Sequence, residues 1–354
     1  MSQSQIEVVA NVERLGIVLA PSGDPREAAG VLNPAAVRCR DGQLLLYPRV
    51  VADGNVSRIA RYAFDGDRFV QRGFALEPAA SYEFRRTADA FGPGHGCEDP
   101  RITFVAALDC YVMAYTAFGN GGPRIAVAVS PDGWEWERLG IVGFTGAGVT
   151  DADDKDAAYF PEPVHSPSGM PSIALYHRPM SPLSRDHGWA ALAMLAALPP
   201  DQRDALHIAY VPLAAALADP RALLRPTESV LGLPPGERWG RVKNGAGTPP
   251  IRIAEGWLGL FHGVDLVPGA GGRLGARYSA GIVVHDADQP HRVRFRSAAP
   301  LLTPDHASER SGVVDDVVFP TGIDPRPDLG ARTFDVYYGM ADARVGLLRL
   351  RLDG

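Results

Sequence analysis

Residues 94–103, GHGCEDPRIT, set Glu98 and Asp99 before a proline and follow them with Arg101 and a β-favouring Ile-Thr pair. The plainest account is a turn leading into a strand. Pro100 fixes its own φ and pushes Asp99 towards an extended backbone, while an aspartate accepts hydrogen bonds from neighbouring N–H groups. The same theme, polar or ionisable groups at strand ends and in Gly-rich turns, returns along the chain. LNPAAVRCRDGQLLLYPRV carries Asn33 and Arg49, DDKDAAYFPEPV carries Lys155, Asp156 and Glu162, and ALYHRP carries His177 and Arg178. RVKNGAGTPPI adds Lys243, GLFHGV adds His262 and YYGMADARVG adds Asp342. Singly, each has a structural explanation, because lysines and arginines are mostly solvated and a histidine in a β-run usually hydrogen bonds within the fold. Lys243 before a tight Gly-Ala-Gly turn is either a plain turn residue or a point charge holding a phosphate, although two prolines remove donors and the ending of a P-loop is missing. Taken together, these groups need a fold that brings distant strand ends to one place.

The elements that would do this are strands. Runs such as QLLLYPRVV, CYVMAYTAF, RIAVAVS, PSIALYHRP, GWLGLFHGV, YSAGIVVHD and GLLRLRL recur with Gly, Pro and Asp between them, which predicts an all-β protein. YAFDGDRFVQRG and VAVSPDGWEWERLG share one hairpin plan, and VVHDADQPHRVRFRS follows it loosely. Repeated hairpins predict the blades of a β-propeller, whose inner strands line a central channel; a large sandwich or barrel is the alternative. One stretch, residues 184–224, is Ala/Leu-rich at helical spacing and reads as a short helical insertion with the strand HIAYV inside it. No connection has the length of a domain linker, so the 354 residues read as a single domain, 1–354.

Composition narrows the partners. Hydrophobic residues make up 46% and charged residues 21%, as in a globular protein, and the net charge of −6 comes with no Lys/Arg stripe. That argues against nucleic acid and against a polybasic membrane patch. The N-terminal residues lack a basic segment followed by an apolar one, so a cytoplasmic location is expected. Cys39, Cys97 and Cys110 have no C-x-x-C spacing and read as buried reduced thiols; neither a disulfide framework nor a metal site is expected. Serine-hydrolase, zincin and dinucleotide-binding motifs do not occur.

At this point the motifs, taken in order, resemble glycoside hydrolase family 130, whose members act on β-mannosides and fold as five-bladed β-propellers. GCEDPRIT resembles that family's Gly-x-Glu-Asp-Pro-Arg, KDAAYFPEPV and LYHRP its Lys-Asp-x-x-x-Phe-Pro-Glu and His-Arg-Pro, and KNGAGTPPI and GWLGLFHG its Gly-x-Gly-x-Pro-Pro-Ile and Trp-Leu-x-x-x-His-Gly; VVFPTG and YYGMAD complete the series. The resemblance implies that Asp99 is the proton donor to the glycosidic oxygen. Burial would raise its pKa to suit that task, which requires Arg101 to point away from it, towards Glu98. It further implies Lys155, Arg178, Lys243 and His262 as phosphate ligands, and Asn33, Arg49 and Asp342 as the residues that hold a mannosyl unit. The expected activity is inverting phosphorolysis of a β-linked manno-oligosaccharide or mannosyl glycoside, with inorganic phosphate as co-substrate, α-mannose 1-phosphate as product and no cofactor. The alternatives are an inverting β-mannosidase with Glu162 or Asp156 as base, and a non-catalytic glycan-binding propeller. Tyr47, Trp257 and Tyr338 are candidates either for stacking on sugar or for the core. Cys97, the long loop before LYHRP and the helical stretch depart from the family pattern, so the linkage and acceptor sugar stay open, as does the choice between monomer and homo-oligomer.

Overall fold

A computed structural model describes residues 6–85, 94–149, 153–185, 189–268 and 274–353. The chain is mostly β. Strand β1 (Ala10–Leu19) precedes a first unit of β2 (Gly30–Arg38), β3 (Leu44–Ala52), β4 (Val56–Phe64) and β5 (Phe69–Leu76). A second unit has β6 (His95–Val105), β7 (Cys110–Gly119), β8 (Gly122–Ser130) and β9 (Glu137–Ile141). The third comprises β10 (Asp154–Tyr159), β11 (Val164–His165), β12 (Pro171–Pro179), helix α1 (Trp189–Ala197), β13 (Leu206–Pro212), helix α2 (Leu213–Ala218) and β14 (Glu228–Leu233). The fourth holds β15 (Lys243–Ala246), β16 (Ile251–Ile253), β17 (Gly256–Pro268), β18 (Leu274–His285) and β19 (Val293–Arg296). After a helical turn, α3 (Ala307–Arg310), the fifth has β20 (Val318–Pro325), β21 (Thr333–Met340) and β22 (Arg344–Leu352).

Within each unit the strands pair antiparallel with their neighbours, β10 and β11 both on β12 and β15 and β16 both on β17, and β1 completes the fifth in the order β1-β22-β21-β20. The first two units share one eight-stranded sheet because β4 and β6 pair briefly in parallel, Val56 with His95 and Ser57 with Gly96. Side chains alternate across each strand, so a unit feeds two cores. Met113, Tyr115 and Ala117 of β7 pack towards the first unit, whereas Val112 and Ala114 pack towards the third. Trp257 and Phe261 of β17 join the third unit's core, and Leu258 and Leu260 join the fifth's. Val31 and Leu46 of the first unit pack with Tyr337 and Val345 of the fifth. Hydrophobic clusters thus link each unit to the next and the last to the first.

The strand runs predicted from sequence all fall on strands, and the three hairpin-like repeats are β4–β5, β8–β9 and β18–β19, each the last hairpin of its unit. The 184–224 stretch is divided differently from a single insertion. Its strand is β13, paired along β12, so α1 and α2 sit in two separate connections of the third unit. Among the described residues no helix is long and apolar enough to cross a membrane. Cys39 and Cys97 are buried, Cys110 is half-buried and all three are free thiols.

Strand β1 escapes the sequence reading because the adjacent charges Glu13 and Arg14 interrupt its apolar pattern, and what fixes it is distant: Arg14 donates to Glu309 at 2.9 Å, and that buried acid also accepts from Tyr338 at 2.8 Å. Deleting residues 1–19 bares the edge of β22 and removes the Arg14 guanidinium that pairs with Glu309. Thermal unfolding of the shortened chain should show a melting temperature lower by on the order of 10 °C. An unchanged transition would mean that β1 is not part of the fifth sheet's stability.

Candidate active site

Three first strands break step at a polar residue. Asn33 in β2, Asp99 in β6 and Asp156 in β10 each lie where the strand register shifts, with φ of 45°, 47° and 61°. A left-handed residue in a strand is a bulge that re-aims its side chain, and Asn and Asp tolerate it best after glycine because they are short and polar. The acidic pair therefore lies inside β6 rather than in a turn before it, and Pro100 does not hold Asp99 extended as the sequence predicts.

Around Asp99 a first group of charges assembles. Asn33 Nδ2 donates to Asp99 Oδ1 at 3.0 Å, and Arg49 approaches the same oxygen at 3.5 Å while donating to Glu98 Oε1 at 2.9 Å. Lys155 Nζ lies 3.4 Å from the other oxygen of Glu98. Gly339 must be bare here, since a Cβ would sit 2.0 Å from Asn33 Oδ1. Burial raises the pKa of Asp99, but Arg49, Arg101 and Lys155 with the Asn33 hydrogen bond outweigh it and hold the carboxyl below its ordinary value. This reverses the expectation of a raised acid. The raised carboxyl is Asp342, pushed up to about 6 by burial and then by the charge of Asp99, against the pull of Arg49 and Lys155.

Asp156 centres the second group. Arg178 Nε donates to its Oδ2 at 2.6 Å, His262 Nε2 lies 3.6 Å from that oxygen, and Arg101 Nη2 lies 3.6 Å from Oδ1. Arg178 also pairs with Asp204 at 3.3 Å. A Cβ on Gly245 would meet Asp156 Oδ2 at 2.2 Å, His262 Cε1 at 2.7 Å and Arg178 Nε at 2.9 Å, so the glycine is what lets β15 close over this cluster. Lys243 is buried with its ammonium 5.9 Å from the centroid of the Tyr278 ring, and among the described residues it pairs with no carboxylate. Helix α1 packs Leu195 on Val242 and Val264, the sequence neighbour and the cross-strand partner of Lys243. Burial, then Arg178, Arg101 and Lys243, lower the His262 pKa to about 3 against the pull of Asp156, so its ring is neutral.

Arg101 ties the groups together. It points away from the Asp99 carboxylate, as the sequence reading requires, but not to Glu98: Nη1 donates to the Asp99 carbonyl at 2.9 Å, Nε to Gly247 O at 3.0 Å and Nη2 to Ala246 O at 3.1 Å. Of the predicted residues, Asp99, Asn33, Arg49, Lys155 and Asp342 share the first group, and Arg178, Lys243 and His262 the second. Lys155 pairs with Arg178 across the strands yet turns its ammonium to Glu98.

The two candidate bases for a hydrolase do not fit that task. Glu162 lies on an exposed turn, and the Asp156 carboxylate, held low by Arg178 and Arg101 despite its burial, is a weak proton acceptor. Tyr47, Trp257 and Tyr338 are core residues, with Tyr47 bonded to Gly133 O, Trp257 to Ala287 O and Tyr338 to Glu309. His177 is structural as well, held between Asp154 at 2.7 Å and Ser229 at 2.8 Å and stacked on Phe144. Asp204 and Gly245 were missed; Asp204 sits in an ordinary polar loop with no local signal. A surface cleft of about 1390 Å³ is lined by Arg38, Phe69, Arg326 and Tyr337 among others and by none of the predicted site residues.

The Asp342 shift fixes a pH dependence. A folded pKa near 6, above the ordinary 3.8, makes the native state bind the extra proton, so its contribution to stability is full at pH below about 4 and lost as pH rises through 6. The melting temperature of Asp342→Asn, measured relative to the unaltered chain, should therefore climb by several degrees between pH 4 and pH 7. A difference that stays flat across that window would contradict the buried, proton-holding carboxyl.

Comparison with known proteins supplies the lineage. A family described as beta-1,4-mannooligosaccharide phosphorylase, glycoside hydrolase family 130, matches residues 4–180 and 235–353. A 1,2-beta-oligomannan phosphorylase of Thermoanaerobacter sp. (strain X514) is 28% identical over 347 residues, 95% of each chain. A beta-1,4-mannooligosaccharide phosphorylase of Ruminococcus albus is 36% identical over 115 residues, 32% of each. Among solved structures, the beta-1,2-mannobiose phosphorylase of Listeria innocua, in complex with beta-1,2-mannobiose, superposes with a TM-score of 0.69 at 21% identity, covering 96% of this chain and 97% of that one. The match spans most of the chain on both sides of residues 181–234, and the chain belongs to glycoside hydrolase family 130.

Proposed function

We propose that the chain is an inverting β-mannoside phosphorylase. Phosphate attacks the anomeric carbon of a terminal mannosyl unit, the bond from that carbon to the glycosidic oxygen breaks, the leaving oxygen takes a proton, and α-mannose 1-phosphate departs. What carries this reading is the division of the polar site into a carboxylate group at Asp99 and a cation group at Arg178 and Lys243 with the neutral His262 beside them, joined through Arg101. A hydrolase of this stereochemistry needs a free second carboxylate to activate water; a phosphorylase needs cations in its place. The relatives named as phosphorylases support the same choice. Lys155 stands at the border of the two groups and serves whichever anion lies nearest. Asn33, Arg49 and Asp342 offer hydrogen-bond partners to the hydroxyls of the mannosyl unit.

Asp99 is ionised in the free site, so it must gain a proton before it gives one, directly or through a sugar hydroxyl. The nucleophile closes the balance. Monohydrogen phosphate brings one proton and leaves as the sugar-phosphate dianion, and the alcohol gains the proton that phosphate lost. No cofactor takes part, and the cytoplasmic setting expected from sequence would supply the phosphate. The same reading takes the five units as the blades of a five-bladed propeller, supported by the hydrophobic clusters that join the units in cyclic order.

Phosphorus NMR of the chain with phosphate and a panel of β-manno-oligosaccharides should give a new sugar-phosphate resonance; mannose released without phosphate would mean hydrolysis instead. Asp99→Asn should lower kcat by ~10²–10⁴-fold, the worth of a general acid, with melting changed little. Arg178→Ala and Lys243→Ala should each raise the KM for phosphate by about 10-fold or more, the loss of one charge-assisted hydrogen bond. Full activity at low phosphate in both would dismiss the assigned anion site.

A further inference from the structure

The cation group contains one buried polar atom that the protein leaves unsatisfied. His262 is 1% exposed, and among the described residues nothing hydrogen bonds its Nδ1. Its other ring nitrogen lies 3.6 Å from Asp156 Oδ2, beyond hydrogen-bond length but close enough for the carboxylate's field to keep the ring proton on Nε2. Asp156 is fixed in that place by Arg178 at 2.6 Å, by Arg101 at 3.6 Å and by the bare α-carbon of Gly245. The imidazole stays neutral because burial and the neighbouring cations outweigh Asp156. A neutral ring protonated at Nε2 presents a lone pair at Nδ1: it accepts a hydrogen bond and cannot donate one.

We propose that His262, held in this tautomer by Asp156, makes the anion site selective for an oxyanion that still carries a proton, such as phosphate or arsenate, over fully deprotonated sulfate. The inference rests on the phosphorolytic reading above and adds to it what the site rejects. Arg178 and Lys243 attract all three anions, which are alike in shape and close in charge near neutral pH, so the cations alone discriminate little. Nδ1 separates them. Monohydrogen phosphate donates its O–H to the lone pair, whereas sulfate sets an oxygen lone pair against it in a buried site. Asp156 is then a positioning residue, acting on the anion only through His262 and Arg178.

The test uses the full chain at pH 7, titrated calorimetrically with inorganic phosphate, arsenate and sulfate, with sulfate also assayed as an inhibitor of phosphorolysis. Phosphate and arsenate should bind within about tenfold of each other, and sulfate about 100-fold or more weakly, as expected when a site built around a substrate O–H meets an analogue without it. In His262→Asn, whose amide rotates to donate or accept, the gap should narrow at least tenfold; in Asp156→Asn it should narrow while phosphate itself binds more weakly through a loosened Arg178. Sulfate binding as tightly as phosphate in the unaltered chain overturns the proposal, as does a gap unchanged in His262→Asn. Should a variant fail to fold, the unaltered chain's ratio decides alone. Sugar phosphate formed by a chain that binds sulfate equally well sinks only this inference, whereas selective phosphate binding without sugar phosphate upholds it and sinks the assigned activity.

Discussion

A guanidinium buried at the meeting of several strands must find partners for its N–H groups, or it would not remain charged there. Arg101 finds them in the carbonyls of Asp99, Ala246 and Gly247, with the carboxylate of Asp156 as an ion pair at 3.6 Å and its charge over the Phe319 ring at 5.4 Å. Those contacts tie β6 to the Gly-rich turn after β15 and to β10. Turning the Asp99 carbonyl to Arg101 goes with the bulge that aims its carboxylate at Asn33 and Arg49. One side chain thus spaces an acid from a set of cations and keeps the two groups from neutralising each other.

The rest of the electrostatics follows from that spacing. With Arg49 and Lys155 on its side, Asp99 stays ionised, and the charge it keeps, after burial itself, pushes the neighbouring Asp342 up to about 6. On the other side, Arg178 and Arg101 hold Asp156 as a permanent anion, and burial among cations leaves His262 neutral. Three carboxyls and one imidazole of ordinary type are thereby set apart: Asp99 and Asp156 are held low, Asp342 is raised to about 6, and His262 is neutral. Close backbone approach is the condition: Gly245, Gly247 and Gly339 each lie where a Cβ would strike a neighbouring atom of the hub.

Much of the fold was legible in sequence because strands buried on both faces read as short apolar runs that end at Gly, Pro and Asp. Strand β1 was not, since charged side chains such as Glu13 and Arg14 blur its pattern and its anchor Glu309 lies 295 residues away from Arg14. The site residues were legible by kind and by family motif, but not by partner. Arg101 and Gly247 are separated by 146 positions, and Asp204 reaches Arg178 from a loop with no motif. Nor could sequence tell that Asp99 would be held low. Burial alone predicts a raised carboxyl, and the positions of Arg49, Arg101, Lys155 and Asn33 reverse the sign. The departure of 184–224 from one insertion into two connections has the same cause, because β13 is recognised as a sheet member only once its pairing with β12 is seen.

The central claim is that the cation group, and not the Asp99 group, receives the attacking anion. Arsenate, a phosphate mimic with anomalous X-ray scattering, tests this in a crystal of the full chain. The account predicts an arsenic peak within hydrogen-bond reach of Arg178 and of His262 Nδ1, with the Lys243 ammonium facing it. A peak held instead by Arg49 and Lys155, or no peak in the hub at an arsenate concentration that supports turnover, would contradict it.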